Sequence, residues 1–271
     1  MKKYVFVPVL ILGGSACAFL LRLMEIRTGF EHTTGLPVPG TIWRYLLVAL
    51  LVLLAIIFLV IGSRLPDEKA EPPAAFTGAF STVHIERLLL PVAGGLLMGL
   101  SGVLELAAVF RGQSSSPRTS LLMAVTALLA ALSLFPTVAA CHRPGSHQAV
   151  SDTPRTFNDT LLLVPVVCLV VRLVLTYRVD SIDPSLAVYY VELLAVACLT
   201  LAFYKLSAFA FKAGRTVRFV QYAGMAVILC CATLADGHTL PGSLLYLGCA
   251  LTLMGFLLLR LDALSKPRSG H

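Results

Sequence analysis

The sequence predicts an all-α integral membrane protein, a bundle of about eight transmembrane helices. Of its 271 residues, 58% are hydrophobic and only 13% are charged, and the mean hydropathy is +0.87. Soluble domains carry about 25% charged residues. The apolar residues also fall in blocks of roughly 18 to 25, long enough to cross about 30 Å of hydrocarbon as helices. Stretches such as 45–62 lack the alternation that a β-barrel strand requires.

Eight apolar blocks are predicted to cross the membrane, at residues 4–24, 42–62, 88–110, 120–140, 161–177, 185–207, 217–235 and 242–260. The first follows Lys2 and Lys3, as in a signal peptide, but it is longer than the usual 7 to 15 apolar residues. We therefore expect a retained helix.

The segments between the blocks are too short to fold as separate domains. We therefore expect residues 1–271 to form one polytopic membrane domain, with no soluble domain. The longest segment, 63–87, contains charged residues together with Pro72 and Pro73. This composition predicts a solvated, flexible linker.

The basic residues predict the orientation. Of the 21 Lys and Arg residues, 14 lie in segments on the side of the N-terminus, six lie on the other side, and Arg172 lies inside a helix. Since Lys and Arg accumulate in cytoplasmic loops, both termini are predicted to be cytoplasmic. The net charge of +7 then reflects topology, and no nucleic-acid partner is expected. This bias favours a prokaryotic-type plasma (inner) membrane.

A repeated pattern marks the starts of the blocks. Three odd-numbered blocks begin with an apolar residue, Pro and Val, at 7–9, 90–92 and 164–166. Each even-numbered block follows a Pro with Ser or Thr close behind, at 39–41, 117–119, 184–185 and 241–243. The pattern predicts four helical-hairpin repeats. The alternative is that Pro simply suits any first helical turn, where its missing N–H would be unpaired anyway.

Three charged residues lie inside the predicted helices: Glu105, Arg172 and Glu192. Each costs at least about 2.5 kcal/mol in hydrocarbon unless it is paired or hydrated. Counted from the helix ends, all three lie roughly 8 to 11 Å below the outer surface. We therefore expect a salt bridge from Arg172 to Glu105 or Glu192, with Glu192 favoured because its helix follows directly.

Other polar residues extend this layer into a candidate substrate-binding site. Tyr189 shares a helix face with Glu192, three residues away. Arg22, Arg44 and Asp236 lie near the outer helix ends, with Tyr45 and Tyr246. The predicted site is an outward-facing vestibule that uses Glu105, Arg172, Glu192, Tyr189, Arg22 and Arg44. In the alternative, Arg172 and a Glu form a structural ion pair, and the remaining residues are interfacial anchors.

Small residues on the third block, Gly95, Gly99 and Gly102, recur on one helix face and continue towards Glu105. Such faces let a neighbouring helix approach closely, so they predict inward placement of Glu105. The same kind of face could serve an oligomer or a partner subunit.

The sequence lacks the residues that several kinds of binding and catalysis require. All six histidines lie in predicted loops or at the terminus, so no pair is placed to ligate haem within the membrane. The sequence has no P-loop, GxSxG, HExxH or CxxC motif. We therefore predict no catalytic residue, no metal and no cofactor.

The sequence favours a transporter or binding protein for a small solute or lipid head group, with membrane lipid and a small-molecule ligand as partners. One alternative is a non-catalytic subunit or scaffold, in which the charges only fix helix register. The other is a lipid-modifying enzyme with Glu192 or Glu105 as acid or base.

Overall fold

A computed structural model describes residues 6–29, 38, 40–64, 75–80, 82, 85–113, 116–142, 160–180, 186–211 and 213–265. The regular structure in these ranges is helical. The helices are α1 Phe6–Thr28, α2 Ile42–Arg64, α3 Ala75–Phe80, α4 Leu89–Phe110, α5 Pro117–Ala140, α6 Val164–Asp180, α7 Leu186–Ser207, α8 Thr216–Thr233 and α9 Leu240–Ser265. Two 3-10 turns, Ile85–Leu88 and Leu234–Asp236, precede α4 and follow α8.

Seven helices in the described part of the chain are long and apolar enough to cross a membrane: α1, α2, α4, α5, α7, α8 and α9. The predicted polytopic helical membrane architecture is confirmed to this extent. Helix α6 has 17 residues, which is about 26 Å at 1.5 Å per residue and at the short end for a spanning helix. Its crossing and the orientation of the termini stay predictions.

The helices pack in a closed order. From α4 to α9, each helix contacts the next along the chain, and α9 contacts α4. Helices α1 and α2 contact each other, and both join this ring through α8. The four pairs expected as hairpins, α1–α2, α4–α5, α6–α7 and α8–α9, are each in contact. Their origin by duplication stays a prediction.

Glycines let α4 and α9 approach each other closely. A Cβ atom added at Gly94 would lie 2.6 Å from the carbonyl oxygen of Gly248, and one added at Gly248 would lie 2.8 Å from that of Gly94. The predicted face of Gly95, Gly99 and Gly102 instead lies towards α5, where only Gly102 is tightly packed, against Leu128. The closest helix contact thus uses a different face of α4 from the one predicted.

We expect Gly94→Ala to destabilise the protein by about 1–3 kcal/mol, because the added methyl group overpacks the α4–α9 contact. Gly99→Ala is the matched control, since its Cβ would be an ordinary 3.6 Å from the Cβ of Ala131. Thermal unfolding of the detergent-purified variants measures the difference. Equal unfolding temperatures would contradict the close approach of the two helices.

Helix α3 closes one end of the bundle with aromatic side chains. Phe80 lies 5.1, 5.9 and 5.6 Å, between ring centroids, from Phe209, Phe219 and Phe256. Phe76 contacts both Phe80 and Phe256. These five side chains are buried and form the phenylalanine cluster. The expectation of a solvated linker across 63–87 is therefore wrong for 75–80, while residues 65–74 lie outside the described residues.

Polar contacts also stabilise the end of the bundle that contains the phenylalanine cluster. The buried Arg260 donates to Thr216 Oγ1 from Nε at 3.0 Å and from Nη2 at 2.8 Å. Its guanidinium also lies 5.4 Å from the ring centroid of Phe209. Arg87, just before α4, forms a salt bridge with Asp262 of α9. This end is thus held by both apolar and charged contacts.

Candidate functional site

Charged and aromatic side chains gather at the other end of the bundle, and we call this set the polar layer. It consists of Arg22, Glu25, Arg44, Glu105, Arg172, Tyr190, Glu192, Asp236, His238 and Tyr246. The first half is centred on Glu25, the second on Glu192, and His238 lies between them.

In the first half, Glu25 forms salt bridges with two arginines. Arg22 precedes it by three residues on the same face of α1, and Arg22 Nη1 lies 2.9 Å from Glu25 Oε2. Arg44, near the start of α2, places Nε 3.0 Å from Glu25 Oε1. Arg22 Nε also lies 2.5 Å from Asp236 Oδ1. Because Arg22 is 1% exposed and Glu25 is 0% exposed, this is a buried ion network.

Tyr190 connects α7 to the first half. Its hydroxyl lies 3.3 Å from Glu25 Oε2 and donates a long hydrogen bond to it. The Arg22 guanidinium lies 5.2 Å from the centroid of the Tyr190 ring, which is cation–π distance. One side chain therefore touches both members of the central ion pair.

In the second half, the Tyr246 hydroxyl donates a 2.5 Å hydrogen bond to Glu192 Oε1. The guanidinium of Arg172 lies 5.7 Å from the centroid of the Tyr246 ring. Glu105 and Glu192 both interact electrostatically with Arg172. Helices α4, α6, α7 and α9 thus each contribute one residue to this half.

His238 lies between the halves because of the short connection from α8 to α9. The 3-10 turn ends at Asp236, and Gly237 follows in the left-handed conformation with φ +67°, which favours glycine. His238 Nε2 lies 3.8 Å from Glu192 Oε2 and 4.0 Å from Asp236 Oδ2. Both distances exceed the roughly 2.6–3.2 Å that direct proton transfer requires, so the imidazole makes no direct hydrogen bond to either carboxylate.

Several buried atoms of the polar layer have no hydrogen-bond partner among the described residues. On the donor side these are Arg172 Nε and Nη1 and Arg44 Nη2, and on the acceptor side Asp236 Oδ2; His238 Nε2, which can do either, is also unpartnered. Arg172 is 7% exposed, and the Asp236 side chain is 9% exposed. An unsatisfied buried polar group costs about 1–3 kcal/mol, and more when it is charged. The layer therefore offers both donor atoms and acceptor atoms that lack a hydrogen-bond partner.

Two spaces adjoin the layer. A narrow pocket of about 10 Å³, the space of about one water molecule, lies beside Arg172, between α4, α5, α6 and α9. A second space, of about 560 Å³, is a groove between α6 and α7 that opens to the outside of the bundle. Its walls are almost wholly apolar and consist of Leu173, Val174, Tyr177, Tyr190, Leu193, Leu194 and Ala197.

The structure brings five of the six predicted site residues into the polar layer: Glu105, Arg172, Glu192, Arg22 and Arg44. The expected salt bridge between Arg172 and Glu192 is not formed, and Arg172 makes none with any described carboxylate. Tyr189 is half-buried and makes no hydrogen bond to a described residue, whereas its neighbour Tyr190 does.

Sequence reasoning missed the contributions of Glu25, Tyr190 and His238. Glu25 fell just outside the first predicted helix, which ended at residue 24 although α1 continues to Thr28. Its spacing of three residues from Arg22 was the available signal. His238 lies in a loop, as predicted, but the loop turns its ring into the layer.

Within the described residues, no group of three or more His, Cys, Asp or Glu side chains is placed to hold a metal ion. Comparisons with protein-family models, with curated proteins and with solved structures found no match to this chain.

Proposed function

We propose that the protein is a transporter or binding protein of a prokaryotic-type plasma membrane, and that the polar layer binds a small solute or a lipid head group. The proposal follows from the chemistry of this layer. Glu105, Arg172 and Glu192 come from three helices, yet Arg172 lies close enough to both carboxylates to interact with them electrostatically. A ligand in this layer would meet fixed charges in a dry environment, where electrostatic attraction is stronger than in water.

The observation that carries the proposal is the buried Arg172 with its Nε and Nη1 unpaired. Arg172 has electrostatic partners, but two buried donors without hydrogen bonds are costly, and a purely structural arginine would have its donors satisfied. Arg22 shows this other case, because it is bound to both Glu25 and Asp236. The difference between the two arginines favours a binding role for Arg172.

The test is the shift in unfolding temperature that a ligand causes, since a ligand that binds only the folded state raises it. The probes are inorganic phosphate, phosphoethanolamine and dioctanoylphosphatidylethanolamine, added to the full chain in detergent. We expect at least one probe to stabilise the protein. Arg172→Lys should lose most of this shift, because lysine keeps the charge but lacks the planar fork of donors.

Arg178→Lys is the matched control, because Arg178 lies on the same helix but is exposed. It should respond to the probes like the unmodified protein. Absence of a shift with all three probes, or an undiminished shift in Arg172→Lys, would argue against a binding site here.

The second candidate function is that of a scaffold, and the exposed apolar face of helix α2 favours it. Among the described helices, α2 packs mainly against α1 and α8. It leaves a broad apolar face exposed, which includes Tyr45, Val52, Ile56 and Leu59. A subunit would bury this face against another protein. Light scattering of the purified protein distinguishes the candidates, since a stable assembly of fixed stoichiometry would support the scaffold.

A further inference from the structure

We propose that the ligand of the polar layer is a phospholipid whose head group carries a primary ammonium, and that one acyl chain lies in the groove between α6 and α7. This inference rests on the proposed binding function and names its substrate class. It is carried by the position of the groove and by the charges behind it.

The groove has the form of a site for an amphiphile. Tyr190 of α7 belongs to the polar layer and Leu173 of α6 directly follows Arg172, so both line the groove at the level of that layer, whereas Ala197 lies five residues past Glu192. From Tyr190 to Ala197 the helix rises about 10 Å at 1.5 Å per residue. Val174, Tyr177 and Leu194 are strongly exposed on the outside of the bundle. The groove therefore opens sideways, towards the surface that lipid covers in a membrane.

Tyr190 joins the groove to the charges. It lines the groove, and it also contacts Glu25 and Arg22. Arg44 acts on it electrostatically, and Arg44 Nη2 is one of the unpaired donors. Tyr190 thus lies between the apolar groove and the charges of Glu25, Arg22 and Arg44. Displacement of its side chain would bring a head group from the groove to these three residues.

The charged residues next to Tyr190 favour a head group that carries both a positive and a negative charge. The described part of the layer contains three arginines and four carboxyl groups, so it offers partners for both an anionic and a cationic group. A phosphate can accept from Arg44 Nη2 or Arg172, while an ammonium donates to Asp236 Oδ2. A quaternary ammonium cannot make this second contact, because it has no N–H.

The experiment compares three short-chain lipids, namely dioctanoylphosphatidylethanolamine, dioctanoylphosphatidylcholine and dioctanoylphosphatidylglycerol, with soluble phosphoethanolamine. Each is titrated into the full chain in detergent, and the unfolding temperature gives the half-saturating concentration. We expect the ethanolamine lipid to bind at least about tenfold more tightly than the other three probes.

Leu194→Trp narrows the groove, and Leu132→Trp on α5 is the matched control, because Leu132 is exposed and lies outside the groove. Leu194→Trp should weaken binding of the ethanolamine lipid about tenfold, and Leu132→Trp should leave it unchanged. Equal binding of the three lipids, or an unaffected Leu194→Trp, would overturn the inference.

The outcome also separates the two proposals. If phosphoethanolamine alone binds as tightly as the lipid and the shift needs Arg172, the lipid inference fails but the binding function stands. If no probe produces a shift that Arg172→Lys abolishes, the binding function itself fails.

Discussion

Glu25→Gln should lower the free energy of unfolding by about 3–5 kcal/mol, the range for removing one partner of a buried ion pair. Glu25 accepts from Arg22 and Arg44, and Tyr190 donates to it as well. Glutamine has nearly the same shape but no charge, so the variant leaves Arg44 without a described ionic partner. The loss appears as a lower unfolding temperature in detergent.

Glu86→Gln is the control for the loss of one carboxylate, because Glu86 is exposed. Its effect should stay within about 0.5 kcal/mol, as for most surface substitutions. The double variant Glu25→Gln, Arg44→Gln should lose less free energy of unfolding than the two single variants lose together, because it removes the uncompensated charge. Additive losses would show that Glu25 and Arg44 are not coupled.

Phe80→Ala should destabilise the protein by about 3–5 kcal/mol, the range for a large aromatic side chain removed from a packed core. Phe80 is fully buried and contacts four other phenylalanine rings. The truncation would leave a cavity where α3, α8 and α9 meet. Thermal unfolding measures the loss.

Phe110→Ala is the matched control, because Phe110 at the end of α4 is 81% exposed. It should change the unfolding temperature little. A similarly small effect of Phe80→Ala would mean that α3 does not pack against the bundle.

The long helices were predictable because hydrocarbon length and apolar composition fix them almost independently of tertiary contacts. The block predicted at 42–62 corresponds to α2 at Ile42–Arg64, and that at 185–207 corresponds to α7 at Leu186–Ser207. Helix α3 was not predictable in this way. Its six residues are too few to span a membrane, and its burial depends on phenylalanines more than 120 residues away along the chain.

The polar layer was predictable only in part. Depth along a helix follows from counting residues, so Glu105, Arg172 and Glu192 could be placed at one level. Contacts between side chains also depend on the rotation of each helix about its axis and on the order of the helices around the bundle. Hydropathy specifies neither of these. Tyr246 therefore takes the Glu192 contact that was expected for Arg172. The contact of Tyr190 with Glu25 of α1 distinguishes it from Tyr189.

The two ends of the bundle are stabilised by different interactions, which depend differently on water. The polar layer is held by charges whose attraction weakens steeply when water enters, since the effective dielectric constant then rises. The phenylalanine cluster excludes water and is not weakened by a charged ligand. A charged ligand would therefore exchange contacts with the polar layer around Glu25, while the packing around Phe80 stays unchanged.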